Sequence, residues 1–122
     1  LPAPRLRQVL LEQVQRHIET HLTDTSLGVA SLARAFGMTE RNMHKLFEPT
    51  GTTVGAHVRD RRLAMCRRDL EGSTLAARQI AEIASHWGFS DASHFGKVFR
   101  AAYGLSPREC RAQAQALRHT RT

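Results

Sequence analysis

Two stretches of the chain carry the same pattern: ARAFGMTE at Ala33–Glu40 and ASHWGFSD at Ala84–Asp91, 51 residues further on. Each contains a small alanine, an aromatic residue, a glycine, an apolar residue, a hydroxyl residue and an acid. Glycine is favoured where a helix ends in a left-handed residue, and a hydroxyl followed by an acid is typical of a helix start. The pattern therefore predicts a helix-turn-helix, twice. Leu46–Phe47 matches Val98–Phe99 at an offset of 52, so the second copy has one extra residue.

Helical periodicity extends beyond the two copies, and no long stretch alternates at the two-residue period of a strand. We predict an all-α fold of about seven helices, the first being an extra N-terminal helix: Arg5–His21, Val29–Phe36, Glu40–Glu48, Val54–Leu70, Ala77–Trp87, Asp91–Tyr103 and Pro107–Ala116. The expected organisation is an N-terminal linker helix at 1–25, helix-turn-helix units at 26–53 and 73–116, a linker helix at 54–72 between them, and a frayed tail at 117–122.

Apolar spacing predicts the buried faces of these helices. In the first helix they are Leu6, Val9, Leu10, Val14, Ile18 and Leu22; elsewhere they are Leu32, Ala33, Phe36, Met43, Leu46, Phe47, Val58, Met65, Cys66, Leu70, Ile80, Ile83, Ala84, Trp87, Phe95, Val98 and Phe99. Thr39 and Ser90 are the predicted N-caps of the second helix in each copy. Pro49 is expected to force Glu48 out of the helical region.

The chain is strongly basic, with 18 Lys and Arg against 11 Asp and Glu and a net charge of +7. Only Lys45 and Lys97 are lysines. Arginine binds phosphate through a two-pronged guanidinium and pairs with the edge of guanine, so the composition favours a polyanionic partner. A merely basic surface is the alternative.

The run IAEIASHWGFSDASHFGKVFRAAYGLSPRECR at Ile80–Arg111 resembles the C-terminal signature of the AraC/XylS transcription regulators. The family's weaker first half also matches, so that the resemblance covers Ser26–Arg111. It implies sequence-specific binding of double-stranded DNA, with two second helices in successive major-groove segments about 34 Å apart. It further implies a bacterial, cytoplasmic regulator that contacts RNA polymerase and has an upstream sensing or dimerisation domain. The start at Leu1–Pro4 resembles neither a signal peptide nor a translation start, so we expect upstream sequence to be missing.

In the first copy, the family's base-contacting positions fall on three of the residues that we expect to point outward. The outward set is Glu40, Arg41, His44, Lys45 and Glu48, and the candidate base contacts are Arg41, His44 and Lys45. Arg41 is the strongest candidate, because a guanidinium can bind guanine N7 and O6 together. Asn42 is expected to reach a backbone phosphate.

In the second copy, the same positions fall on Ala92, Ser93, Gly96 and Lys97, and the candidate base contacts are Ala92, Ser93 and Lys97. Ala92 can offer only a contact to a thymine methyl, and Gly96 has no polar reach. We therefore expect the first copy to carry more base specificity and the second to position the protein. Its phosphate contacts would be Ser93, Lys97, Arg100 and Arg78. His94 is aligned with Met43 and predicted to be partly buried, and Arg62 is predicted to be structural.

Three other interpretations have weaker support. His17 and His21 have the i, i+4 spacing of a zinc pair, but the sequence offers no third ligand nearby. Cys66 and Cys110 lack partners at the spacing of a catalytic site, so we predict no enzyme and treat Cys66 as a buried apolar residue. A helical RNA- or protein-interaction module is the remaining alternative. We predict no metal and no cofactor. We also predict no membrane span, because no run of 18 apolar residues occurs.

Overall fold

The computed structural model describes residues 3–72 and 78–121, and in these ranges the chain is helical with no strand. The helices are α1 Pro4–Thr20, α2 Val29–Ala35, α3 Glu40–Phe47, α4 Val54–Glu71, α5 Ile80–His86, α6 Ala92–Tyr103 and α7 Pro107–Arg121, with a 3-10 turn at Glu48–Thr50. The all-α prediction with seven helices is confirmed. Leu1–Pro2, the break at Ser73–Thr74 and the predicted helix start at Ala77 lie outside the described residues.

The chain divides into two compact units, Leu1–Arg61 and Arg62–Thr122. The boundary falls inside α4, so this single helix contributes its first half to one unit and its second half to the other. Each unit contains one helix pair joined by a short turn: α2 and α3 in the first, α5 and α6 in the second.

In the first unit, the predicted buried stripe of α1 is confirmed at Val14, Ile18 and Leu22 but not in the first two turns of the helix. Leu11, Val14, Ile18 and Leu22 are buried. Leu6 and Val9, which we expected inside, are 60% and 46% exposed. The first two turns of α1 carry two overlapping apolar stripes, and periodicity alone does not decide which one packs; the stripe that contacts the rest of the unit begins at Leu11.

The core side of α3 is as predicted, with Met43, Leu46 and Phe47 buried. The C-terminal end of α3 differs from the prediction. Glu48 keeps helical dihedral angles (φ −49°, ψ −46°) and begins the 3-10 turn that contains Pro49. The expectation that Pro49 would force Glu48 out of the helical region was wrong. The α preference of a residue before proline is reduced, not abolished, and the tighter 3-10 turn accommodates the ring.

His57 on α4 packs edge-on against Phe47, with 5.7 Å between ring centroids. Burial lowers the pKa of His57 below its ordinary value of 6.5, as does Arg61, while Glu19 and Asp60 oppose the shift. A histidine with a lowered pKa binds its proton more readily when the chain is unfolded. We therefore expect the free energy of unfolding of the first unit to fall as the pH drops from about 7 to 5.

The test of the His57 prediction is His57→Gln, which removes the titrating group and keeps a polar side chain of similar length. Urea denaturation followed by far-UV circular dichroism at several pH values should give a shallower pH dependence for the variant. Some dependence will remain, because burial also lowers the pKa of His17. An unchanged pH profile would contradict the assignment.

The second unit is built on a cluster of buried residues from α4, α5, α6 and α7: Leu63, Cys66, Leu70, Ile83, Ala84, Phe95, Phe99 and Cys110. Ile80, Trp87 and Val98, predicted inside, are only partly buried. The prediction for Cys66 is confirmed, since it is fully buried and burial raises the pKa of its thiol to about 12.

A buried carboxylate that the periodicity did not reveal connects α4 to the end of α5. Asp69 is 3% exposed, and its Oδ2 accepts a hydrogen bond of 2.7 Å from Trp87 Nε1. Arg68, whose guanidinium lies over the indole ring, donates to the other oxygen at 3.3 Å. A buried charge is stable only with such partners. The hydrogen bond between Asp69 and Trp87 therefore positions the helix-turn-helix of the second unit against the second half of α4.

The last helix is longer than predicted. We expected an end near Ala116 and a frayed tail, but α7 continues to Arg121. Arg118 donates a hydrogen bond to the backbone carbonyl of Glu71, the last residue of α4. That carbonyl has no partner within its own helix, so the contact satisfies it and also holds the end of α7.

Gly37 and Gly88 end α2 and α5 with positive φ, at 63° and 95°. A Cβ at Gly88 would also lie 3.2 Å from the guanidinium carbon of Arg62, whereas nothing lies within 4 Å of one at Gly37. We expect Gly88→Ala to lower the free energy of unfolding by about 1–3 kcal/mol and Gly37→Ala by about 1 kcal/mol. Urea denaturation of both variants measures this, and equal losses would show that Arg62 moves aside freely.

Candidate nucleic-acid interface

The two helix-turn-helix turns have the same hydrogen bond. The backbone N–H of Met38 donates to the carbonyl of Ala33 at 2.9 Å, and that of Phe89 donates to the carbonyl of Ala84 at 2.9 Å. This bond, five residues back around a left-handed glycine, satisfies a carbonyl that the helix end leaves open. Up to this point the copies keep an offset of 51.

The helix starts differ between the copies. Thr39 caps α3 by accepting a hydrogen bond of 3.0 Å from the N–H of Asn42. In the second copy the cap is Asp91, whose Oδ1 accepts from the N–H groups of Ser93 at 2.9 Å and His94 at 3.1 Å. The prediction of Ser90 as the cap was wrong. The caps are 52 residues apart, so the extra residue of the second copy lies between Gly88 and Asp91.

This shift changes the alignment of the two recognition helices, α3 and α6. At an offset of 52, His94 corresponds to Asn42 and Phe95 to Met43. Phe95 and Met43 are both buried, as the alignment requires, whereas His94 is exposed. The expectation that His94 would be partly buried was therefore wrong, because it used the offset of the turn for a residue that follows the cap.

The outer face of α3 carries the candidate contacts of the first unit. Exposed residues on it are Glu40, Arg41, His44 and Lys45, followed by exposed Glu48 in the 3-10 turn, and Asn42 is half-buried. Arg41, His44 and Lys45 lie one turn or less apart, on the side opposite Met43. In the described ranges none of the three forms an ion pair with a carboxylate, so their charges and donors face solvent.

The outer face of α6 is smaller and less charged. Exposed residues on it are Ala92, Ser93, His94, Lys97 and Arg100, while Gly96 is half-buried. In the corrected alignment, Lys97 corresponds to Lys45, but Ser93 and Gly96 replace Arg41 and His44. The predicted contacts on α6 are therefore all exposed, and the single close match to the first unit is the lysine.

Arg100 is partly neutralised within the second unit. Its Nη1 lies 3.3 Å from Oε1 of Glu109, which is exposed in the first turn of α7. Ser106 fixes that carboxylate: its backbone N–H donates to Oε1 at 2.9 Å, and its hydroxyl accepts from the N–H of Glu109 at 3.1 Å. Hydrogen bonds to this carboxyl from the backbone N–H and the side chain of Ser106, more than the charge of Arg100, lower the pKa of Glu109. Arg78, the other predicted phosphate contact, is half-buried just before α5.

The residues of the weaker interpretations lie elsewhere. The rings of His17 and His21 stack at 3.9 Å, and Nδ1 of His21 is 2.8 Å from the carbonyl of His17. Stacked rings do not direct both nitrogens at one ion. Across the described part of the chain, no three potential metal ligands come together, and no helix is long and apolar enough to cross a membrane.

Comparison with protein families matches residues 32–113 to a family described as a helix-turn-helix domain. The transcriptional activator NphR of a Rhodococcus species is 41% identical over 97 residues, which are 80% of this chain and 28% of that protein. The transcriptional activator RhrA of Rhizobium meliloti is 32% identical over 108 residues, which are 87% of this chain and 33% of that protein. The chain thus spans about a third of the length of these relatives.

Solved structures with a similar fold include AraC-type proteins. An AraC-type DNA-binding domain protein from Chromobacterium violaceum superposes with a TM-score of 0.80 and 27% identity, over 88% of this chain and 93% of that one. A probable AraC family transcriptional regulator from Rhodopseudomonas palustris gives a TM-score of 0.75 and 25% identity, over 85% of this chain and 95% of that one. In both comparisons, the likeness extends over both helix-turn-helix units.

Proposed function

Because the chain belongs to the AraC/XylS family of helix-turn-helix transcription regulators, we propose that it binds a specific double-stranded DNA site through two recognition helices. In this proposal α3 and α6 enter successive segments of the major groove, about one helical turn apart. The family is one of DNA-binding regulators and not of enzymes. The observation that carries the proposal is the repeated helix-turn-helix turn, after which each second helix presents an exposed, cation-bearing face.

We propose that the exposed faces of α3 and α6 differ in how much base specificity they provide. On α3, Arg41 and Lys45 have the length and donors to bind guanine N7 and O6, and His44 can donate to a purine N7. On α6, Ala92 and Ser93 have short side chains, and Lys97 is the one long donor among the base-contact candidates. We therefore assign most base specificity to α3, and assign phosphate contact to Asn42, Arg78 and Arg100.

The partners of the whole protein follow from its relatives, which are named transcriptional activators. We propose contact with RNA polymerase and an upstream sensing or dimerisation domain, since the matched relatives are about three times as long as this chain. A bacterial regulator of this kind works on DNA in the cytoplasm.

The experiment is selection of bound sequences from random duplex DNA, followed by affinity measurements on the selected site and on random DNA at several salt concentrations. We expect the selected site to be preferred by about 10³-fold or more, and each neutralised phosphate to add about 0.9 to the slope of log affinity against log salt. Selection of no common sequence, or a preference for single-stranded RNA, would contradict the proposal and favour the alternative of an RNA- or protein-interaction module.

A further inference from the structure

A cleft of about 250 Å³ lies in the first unit, between the N-terminal half of α1 and the C-terminal end of α3. The apolar part of its lining consists of Pro4, Leu11, Leu46 and Pro49. We call it the α1–α3 cleft. Lys45, on the exposed face of α3, is one of its lining residues.

The rim of the α1–α3 cleft is cationic. Arg7 and Gln8 of α1 line it together with Lys45 of α3. Among the described residues, neither Arg7 nor Lys45 has a carboxylate partner, and the first turn of α1 contains no acid. Glu12 is the first acid of α1, and its Oε1 accepts a hydrogen bond of 3.3 Å from Nε2 of Gln8, one helical turn earlier. Two unpaired like charges at one rim favour an anion there.

The geometry of Arg7 suits a phosphodiester. The residue is half-buried and lines the cleft together with apolar residues of α1 and α3. An arginine in this position packs its aliphatic stem and presents its guanidinium at the rim, where the two-pronged donor set matches phosphate oxygens. A duplex that lies along α3 has backbone on either side of its groove, and the rim lies at one end of that helix.

We propose that Arg7 binds a backbone phosphate of the duplex that α3 enters, so that α1 is part of the DNA-binding surface. The inference rests on the proposed function and adds a contact outside residues 32–113, the range of the family match. A phosphate contact carries no base information, so its loss must weaken binding to specific and random DNA alike.

Arg16 provides a matched control on the same helix. It is exposed, and nine residues separate it from Arg7, which is two and a half helical turns. Arg16 therefore projects from the side of α1 opposite the cleft. Arg7→Gln and Arg16→Gln each remove one positive charge and so have the same net charge, and Arg16→Gln reports the effect of that lower net charge away from the cleft.

For Arg7→Gln we expect about a 5- to 10-fold loss of affinity at 0.1 M salt on both DNAs, and a salt slope smaller by about 0.9. For Arg16→Gln we expect less than a 2-fold change and an unchanged slope. Arg7→Lys, which keeps the charge, should retain the slope of the unsubstituted protein. Thermal denaturation by circular dichroism checks that each variant is folded, and Arg7→Ala, which also removes the charge, carries the test if Arg7→Gln is not folded.

Equal behaviour of Arg7→Gln and Arg16→Gln would overturn the inference, as would a loss confined to the specific site. Arg41→Ala, measured alongside, separates this failure from failure of the proposed function. If Arg41→Ala still loses preference for the selected site, the proposed function stands while the role of Arg7 does not. If the unsubstituted protein selects no site, both fail.

Discussion

Arg41→Ala is expected to lose about 1–3 kcal/mol of binding free energy on the selected DNA site and little on random duplex. The reason is geometric. Arg41 is exposed in the first turn of α3, on the side away from buried Met43. Among the described residues, no carboxylate forms an ion pair with its guanidinium. Competition binding with the selected site and a scrambled duplex, at one salt concentration, measures the difference.

Arg41→Lys is the matched variant for this prediction. It keeps the positive charge but cannot donate to guanine N7 and O6 with a planar, two-pronged group. We expect it to bind random DNA as the unsubstituted protein does and to lose part of the preference for the selected site. If Arg41→Ala were silent on both DNAs, Arg41 would not be a base contact, and Lys45 would be the next candidate.

Phe99→Ala is expected to lower the free energy of unfolding of the second unit by about 3–5 kcal/mol. Phe99 is completely buried, with its ring centroid 5.7 Å from that of Phe95 and 4.9 Å from that of Tyr103. A unit of about 60 residues has only about 3–9 kcal/mol to lose, so we expect the variant to be largely unfolded in this half.

The single tryptophan, Trp87, makes the Phe99 prediction specific to one unit, since it lies in the second. Its fluorescence should report unfolding in Phe99→Ala while circular dichroism keeps much of its helical signal. Phe47→Ala is the counterpart in the first unit, because Phe47 is equally buried at the equivalent position. It should lose helical signal with little change in Trp87 fluorescence. Identical loss of both signals in both variants would show that the units unfold together.

Much of the architecture was predictable from local chemistry. Glycine at the helix ends and buried Met43, Leu46, Phe95 and Phe99 at helical spacing predict both recognition helices and the faces that remain outside. Ser90 and Asp91 are both good caps, so cap preference alone does not choose between them. The signal that decides was present: Phe95 must be buried with Phe99, and this requires the offset of 52.

Other features depend on tertiary packing and leave little local trace. Asp69 is a charged residue among polar neighbours on α4, and only its proximity to Trp87 gives it a buried partner. Leu6 and Val9 lie at helical spacing at the start of α1, so periodicity alone does not show that they stay exposed. The cationic rim joins Arg7 and Lys45, which are 38 residues apart in the chain and meet only in the fold.

The extra residue between Gly88 and Asp91 sets a rule for building chimaeras. A designer who transplants the DNA preference of α3 into the second unit must join the sequences after the caps, aligning Thr39 with Asp91. Exchanging side chains position by position at the offset of the glycines, 51, would instead place each of them one residue too early, which is about 100° around the helix axis. Met43 would then turn toward solvent, and an intended contact would turn into the core.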